Sequence, residues 1–196
     1  MSAAGDRFSP LQRTLHWLMA VMILSMLFIG IGMVSTVAPR YHVLVAIHRP
    51  LGIAILVLVL LRLGLRLRRG APPLPADLPR IQALAAKGSH VVLYALMLAM
   101  PLLGWSMLSA GGYPIVLVGP IHLPRIMPHN DALYTMLRES HFALAFVLFA
   151  VVLLHLAAAL FHALIRRDGV FTSMAPWPSH RGPAPPPALR PAPQQR

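Results

Sequence analysis

Four long stretches of apolar residues, separated by polar and cationic segments, dominate the pattern along this chain. They run over residues 17–38, 43–65, 91–119 and 142–165. A helix that crosses about 30 Å of hydrocarbon needs roughly 20 such residues. The pattern therefore predicts four transmembrane helices, Trp17–Ala38 and Phe142–Ile165 being uncharged throughout. The second span carries His48 and Arg49 near its start and Arg62 near its end.

Proline and glycine residues modify this pattern in two places. The third stretch is longer than one helix needs, and its segment 109–114, Ser-Ala-Gly-Gly-Tyr-Pro, predicts the end of the helix and the start of an apolar loop. Pro101 is expected to kink this helix. Near the end of the chain, a Pro-Ala-Pro-Pro-Pro run cannot pack a core. We therefore expect a four-helix transmembrane domain over residues 1–172 and a flexible Pro-rich tail over residues 173–196.

Composition and charge agree with a membrane protein and predict its orientation. Of the 196 residues, 57% are hydrophobic and 11% are charged, and the mean hydropathy is +0.68. Among the 17 lysines and arginines, those of the two predicted outer loops and their flanks are Arg40, Arg49, Arg125 and Arg138. Cations concentrate on the cytoplasmic side of membrane proteins, so both termini are expected in the cytoplasm. The net charge of +12 then reflects topology and anionic lipid rather than nucleic-acid binding.

Histidines are the candidate metal ligands, because the chain has no cysteine and so no disulfide, iron–sulfur cluster or thiolate site. His16, His48, His141 and His155 lie at the ends of, or inside, the apolar stretches. An imidazole is costly in a bilayer and usually functional there. His141 and His155 are fourteen residues apart, a rise of about 21 Å and nearly four helical turns. We expect them to face the same side near opposite leaflets.

The predicted depths arrange these histidines in two pairs, His48 with His141 at the outer face and His16 with His155 at the inner face. Two imidazoles from different helices at one level suit bis-histidine coordination of a haem between helices. Glu139 is the only carboxylate near these levels, so a zinc or di-iron site lacks its usual ligands. Taken singly, each histidine at a helix end could instead be an interfacial side chain hydrogen-bonded to water.

Two arginines on the second span are candidates for binding the haem propionates. Arg62 and Arg66 are four residues apart, which places them on one helix face near the cytoplasmic side. Guanidinium groups form well-matched hydrogen bonds with carboxylates. The alternative is that these long side chains extend to lipid phosphates, which is a stronger alternative for Arg66 than for the deeper Arg62.

Three further polar residues cluster by predicted depth near the same face. His90, Tyr94 and His162 are candidates for groups adjacent to the inner haem, for proton donors or for quinone contacts. His162 lies near the cytoplasmic boundary, where an interfacial role is favoured. It is also the rival of His155 as the inner ligand.

Several motifs together resemble the bacterial cytochrome b561 family over about residues 7–177. They are Leu15-His16-Trp17-Leu18-Met19-Ala20, His48-Arg49-Pro50-Leu51-Gly52, Leu60-Leu61-Arg62-Leu63, Gly88-Ser89-His90-Val91-Val92-Leu93-Tyr94, Pro101-Leu102-Leu103-Gly104-Trp105, and His141 with His155. The resemblance implies a four-helix inner-membrane protein with two b-type haems, ligated at His16, His48, His141 and His155, that exchanges electrons with the quinone pool. Pro50 departs from the family, which usually has a small polar residue there, and is expected to alter the start of the second span.

The resemblance also implies an activity, since superoxide oxidation with electron transfer to ubiquinone is the best-characterised activity of this family. An outer face made positive by Arg49, Arg125 and Arg138 would speed the capture of a small anion. The alternative is a relay subunit for a periplasmic dehydrogenase or hydrogenase, in which the same basic loop docks the partner. A non-redox scaffold or transporter would require four coincidental histidines.

Overall fold

A computed structural model describes residues 7–176 of the chain, and this part is mainly helical. The helices are α1 Pro10–Val34, α2 Arg40–Arg69, α3 Arg80–Ala110, α4 Asp131–Leu160 and α5 Val170–Met174. A π-helical turn, Phe161–Arg166, continues α4. The four long helices are each long and apolar enough to cross a membrane. This confirms the prediction of four membrane-spanning helices.

The first helix begins earlier and ends earlier than the apolar stretch predicted. The Ser9 side chain accepts a hydrogen bond from the Gln12 backbone, and the Gln12 side chain accepts one from the Ser9 backbone. This capping box satisfies backbone donors of a polar first turn, so α1 starts at Pro10. The helix ends at Val34, and not at Ala38.

The fourth helix likewise extends beyond its apolar stretch. The side chain of Asn130 caps it by accepting a hydrogen bond from the backbone of Leu133, and the helix begins at Asp131. His141, which directly precedes the predicted fourth span Phe142–Ile165, therefore lies well inside α4. The apolar pattern underestimates the length of such a helix, because a capped polar turn remains helical outside the hydrocarbon.

Proline does not interrupt the second and third helices. Pro50 lies inside α2, which begins ten residues earlier at Arg40, so it does not define the start of this span. Pro101 lies inside α3. Proline removes one backbone hydrogen bond, a loss that membrane helices tolerate where neighbouring groups satisfy the carbonyl.

The segment after α3 contains a short hairpin in place of a plain apolar loop. The helix ends at Ala110, as the glycine pair predicted. A Cβ atom at Gly111 would come within 2.7 Å of the Tyr113 ring and 2.8 Å of the Tyr134 ring, so this packing requires glycine. Strand β1, Val116–Val118, then pairs antiparallel with β2, Ile121–His122.

The bundle is assembled by sequential packing of α1 on α2, α2 on α3 and α3 on α4. Its small cores consist of Met19, Leu56 and Val59, and of Leu93, Leu96 and Leu148. Many other apolar side chains are exposed, Phe28 and Leu154 each by 70%. Such an apolar surface suits contact with lipid tails. It fits a helix bundle in a bilayer.

The bundle has two ends that are named here by their connections. The loop end holds the connections 35–39 and 111–130. The terminal end holds the start of α1, the connection 70–79 and the π-helical turn. At the terminal end, the Gln12 side chain donates to the Gly70 carbonyl over 3.2 Å, and Arg166 binds Asp77 over 2.6 Å.

The chain stays packed where the Pro-rich tail was predicted to begin. The indole N–H of Trp17 donates to the carbonyl of Met174 over 2.9 Å, and the Phe8 backbone donates to Ser173 over 3.2 Å. These contacts attach residues 173 and 174 to Phe8 and to the first turns of α1. The predicted tail from residue 177 onward lies outside the described residues.

Candidate functional site

At the loop end, histidines from two different helices face each other. The ring centroids of His48 on α2 and His141 on α4 are 6.2 Å apart, and the ring planes are inclined by 66°. Both Nδ1 atoms are buried and form no hydrogen bond within normal geometric limits in the described part of the chain. Gly104 of α3 lies beside His141, since a Cβ atom there would be 3.5 Å from Cε1 of that imidazole.

At the terminal end, a second pair repeats this arrangement. The ring centroids of His16 on α1 and His155 on α4 are 6.3 Å apart, with planes inclined by 73°. A third ring lies close, because the His90 centroid is 5.6 Å from that of His155. Nδ1 of His90 lies 2.7 Å from the Ala86 carbonyl oxygen. A carbonyl only accepts, so this contact assigns the proton to Nδ1 and leaves Nε2 as an acceptor.

The separation of each pair fits two ligands of one metal ion. Imidazoles bound on opposite sides of a metal, each by a bond of about 2 Å, place their ring centroids about 6 Å apart. No cluster of three or more His, Asp or Glu side chains suited to a metal ion occurs within residues 7–176. Two axial imidazoles are the protein ligands that a bis-histidine haem takes, because its macrocycle supplies the other four nitrogens.

The helix packing also fits a planar group between the paired rings. Helix α4 carries one histidine of each pair, and it packs closely on α3, whereas its backbone makes few close approaches to α1 and α2. The partners His16 and His48 are on α1 and α2. The helices that carry the facing imidazoles are therefore farther apart than helices that pack directly on each other.

The structure places Arg62 and Tyr94 together near the terminal pair. The Nε atom of Arg62 donates to the Tyr94 hydroxyl over 3.2 Å, and another of its nitrogens donates to the Gln12 carbonyl over 3.4 Å. Arg66 and Phe8 line the same small cleft. Within residues 7–176, Arg62 forms no ion pair with a carboxylate. The half-buried guanidinium group of Arg62 thus donates to neutral oxygen atoms and is able to bind an anion.

The structure directs His162 away from the terminal pair. Its Nδ1 atom lies 2.7 Å from Oδ2 of Asp168, which also accepts a hydrogen bond from Arg166 over 2.7 Å. Arg166 continues this network to Asp77. The hydropathy pattern and the motifs do not predict the role of Asp168. The one feature of the sequence that could have indicated it is the position of this acidic residue directly after Arg166 and Arg167, at the end of an apolar span.

Two opposing effects set the ionisation of Asp168, whose side chain is only 9% exposed. Burial raises the pKa of this carboxyl group. Hydrogen bonds from His162, from the Val170 backbone and from Arg166 outweigh burial and hold the pKa below the usual carboxyl value. Asp168 is therefore ionised and holds the π-helical turn against the segment that leads into α5.

The predicted outer cations lie at the loop end, but their surroundings differ. Arg125 donates to the Gly112 carbonyl over 2.9 Å, and Arg49 donates to the Pro114 carbonyl over 3.4 Å. Arg138 instead forms an exposed ion pair with Glu139 over 3.2 Å. The charges of Arg49 and Arg125 are thus held beside the turn that follows α3, whereas that of Arg138 is partly balanced.

Together, the membrane-spanning helices and the facing imidazoles define a membrane protein of the b-type cytochrome class. The model of the family described as prokaryotic cytochrome b561 matches residues 7–177, and the chain belongs to this family. It is accordingly a multi-pass inner-membrane protein that binds b-type haem and transfers electrons. The resemblance seen in the sequence motifs is confirmed.

Three relatives match most of the chain. A Yersinia pestis protein named "Probable superoxide oxidase CybB" is 34% identical over 173 residues, which cover 87% of this chain and 96% of the relative. "Cytochrome b561 homolog 2" of Escherichia coli (strain K12) is 28% identical over 172 residues, covering 86% and 91%. "Cytochrome b561 homolog 1" of the same organism is 28% identical over 179 residues, covering 87% and 98%.

Proposed function

We propose that this protein is a di-haem cytochrome b that oxidises superoxide at the periplasmic face and reduces ubiquinone. The observation that carries the proposal is the presence of two facing histidine pairs, one at each end of the bundle, with centroid separations of 6.2 and 6.3 Å. The name of the Yersinia pestis relative supports the substrate.

The four paired histidines would hold the two haems. His48 and His141 would bind the haem at the loop end, and His16 and His155 the haem at the terminal end. Haem, when bound, supplies a one-electron carrier within the membrane. Because His141 and His155 belong to one helix, α4 holds the two sites at a constant separation, about 21 Å along the helix axis.

The surroundings of the terminal pair suggest roles for its neighbours. Arg62 and Arg66 would bind haem propionates, because Arg62 is half-buried and has no carboxylate partner among residues 7–176. His90 packs against His155 and presents Nε2 as an acceptor. His90 and Tyr94 are therefore the side chains best placed to orient a quinone or pass it a proton from this end.

The charge distribution supports the orientation. The terminal end carries cations of the N-terminal segment, of the connection between α2 and α3 and of the π-helical turn, and the loop end carries few. We place both termini in the cytoplasm on this basis. At the periplasmic face, Arg49 and Arg125 would attract superoxide, which loses one electron and leaves as dioxygen. Two such electrons with two protons convert one quinone to quinol.

The test uses detergent-purified holoprotein mixed with a superoxide source and a soluble ubiquinone analogue. Haem reduction and quinol formation are followed by absorbance. One quinol should form for every two superoxide anions that the protein oxidises. His141→Ala should abolish this activity. His122→Ala removes an exposed histidine outside both pairs and should retain it.

The relay function is the alternative outcome of the same experiment. Normal haem spectra combined with negligible reduction by superoxide would contradict the proposed substrate. They would favour a cytochrome that receives electrons from a periplasmic protein docked at the loop end.

A further inference from the structure

Two tyrosines lie between the histidine pair of the loop end and the adjacent end of the bundle. Tyr41 is on α2, seven residues before His48, and Tyr134 is on α4, seven residues before His141. Seven residues are nearly two helical turns, so each tyrosine shares a helix face with its histidine, about 10 Å nearer the loop end. We propose that the hydroxyl groups of Tyr41 and Tyr134 bind the propionates of the haem at the loop end. This inference rests on the proposed function, which assigns that haem to His48 and His141.

The packing of α4 on α3 supports a common orientation of Tyr134 and His141. Two glycines of α3, which are also seven residues apart, lie beside these two rings. A Cβ atom at Gly104 would be 3.5 Å from the His141 ring, and one at Gly111 would be 2.8 Å from the Tyr134 ring. The phenol and the imidazole therefore lie along one face of α3, with the phenol nearer the end of the bundle.

Tyr41 approaches the same region from α2. Its hydroxyl group is close enough to that of Tyr134 for the two groups to interact electrostatically, although α2 and α4 make few close backbone approaches. Tyr41 is 39% exposed. The ring of Tyr113 packs on Tyr134 with a centroid separation of 5.7 Å. The gap between α2 and α4 thus has two imidazoles at the depth of the pair and two phenol groups nearer the loop end.

This order of side chains suits the polarity of haem. A haem carries its two propionates on one edge, and ionised carboxylates are costly in hydrocarbon. For a haem bound by the loop-end pair, the carboxylate edge is therefore expected to point toward the loop end, where Tyr41 and Tyr134 lie. A phenol O–H is a hydrogen-bond donor, and a hydrogen bond to an ionised carboxylate is stronger than one between neutral groups.

The experiment compares the Tyr41→Phe and Tyr134→Phe holoproteins with the wild type. Each substitution removes a hydroxyl group and keeps the ring, so the ring packing is retained. The haem at the loop end is identified as the component that is missing from redox titrations of His48→Ala. Its midpoint potential should be lower in both phenylalanine variants, because a propionate that loses a donor leaves more negative charge near the iron.

Two further measurements report on the same contact. Resonance Raman spectra should show shifted bending vibrations of the propionates. Transfer of haem to an apo-globin acceptor should be about tenfold faster for the affected haem, as for the loss of one hydrogen bond to a charged group. Tyr94→Phe is the matched control, because it removes a hydroxyl group at the terminal end, where Arg62 binds it. It should leave the haem at the loop end unchanged.

An unchanged potential and unchanged propionate vibrations of the loop-end haem in both phenylalanine variants would overturn the assignment. Equal shifts of both haems would indicate a general effect on the bundle and would overturn it as well. Either result leaves the proposed function intact, provided that His48→Ala loses one haem. Full haem content in His48→Ala would instead contradict the proposed ligands, and with them this inference.

Discussion

The imidazole of His48 on α2 faces that of His141 on α4, with ring centroids 6.2 Å apart. Both Nδ1 atoms are buried, and neither forms a hydrogen bond within normal geometric limits in the described part of the chain. Burying unpaired polar groups is costly, and the centroid separation of these two imidazoles matches that of two ligands of one metal ion, which supports the proposed binding site. His16 and His155 repeat the separation at the other end.

Loss of any one paired histidine should remove one haem selectively. His48→Ala or His141→Ala should remove the haem at the loop end, and His16→Ala or His155→Ala the one at the terminal end, because in the proposed arrangement each haem takes one ligand from each of two helices. Pyridine haemochrome titration of the purified variants should give about half of the wild-type haem in each case.

The control for this prediction is His162→Ala. The ring of His162 binds Asp168 and not the terminal pair, so this variant should keep its full haem content. Full haem in His155→Ala together with loss in His162→Ala would show that the terminal ligand is assigned to the wrong histidine.

Replacement of Arg62 should affect the haem at the terminal end. Arg62→Gln removes a half-buried cation beside Tyr94, and breaking a buried charge pair costs about 3–5 kcal/mol. We expect a lower midpoint potential for one haem and weaker retention of it in detergent, both measured by redox titration. Arg68→Gln, in which an exposed cation is removed, should cost under about 1 kcal/mol. Identical titrations for the two variants would argue against propionate binding by Arg62.

Reduction by superoxide should depend on ionic strength. The screening length falls from about 30 Å at 0.01 M salt to about 8 Å at 0.15 M, so electrostatic attraction of the anion weakens and the stopped-flow rate should fall. Arg125→Gln should lower the rate at low salt without loss of haem. Arg138→Gln should lower it less, because Glu139 already partly balances that cation. A rate insensitive to salt and to both substitutions would contradict steering by the loop end.

Asp168 should make stability depend on pH in the acidic range. Its pKa is lower in the folded protein than the ordinary value of 3.8, so its contribution is fully present above that value and is lost as the pH falls through the lower folded pKa. At pH 6, Asp168→Asn should lower the free energy of unfolding by about 1–3 kcal/mol. Thermal unfolding by circular dichroism should show this difference shrinking as the pH falls below about 4.

The matched control is Glu139→Gln, which neutralises an acid whose side chain is 63% exposed. An exposed ion pair contributes under about 1 kcal/mol, so this variant should unfold close to the wild-type temperature at every pH. A constant difference between Asp168→Asn and wild type from pH 6 to pH 3 would show that the carboxylate charge is not responsible.

Much of the fold was predictable because each membrane span is a local property of the chain. Roughly 20 consecutive apolar residues suffice to predict a span, and the glycine pair at 111–112 predicted the end of α3. The helix limits were not predictable to the same degree. The polar turns of α1 and α4 are stabilised by the Ser9 and Asn130 caps, which hydropathy does not measure.

The sequence by itself determined the number of spans and their order, because apolar length depends only on residues close in the chain. It also predicted the depth of each histidine from the helical rise. It also determined the family, through short motifs. Only the tertiary structure decided which side chains meet. It brought His90 against His155 and turned His162 toward Asp168, since such contacts depend on how α3, α4 and the π-helical turn rotate and pack. The local sequence pattern does not reveal how the helices rotate about their axes, so it does not predict contacts between residues distant in the chain.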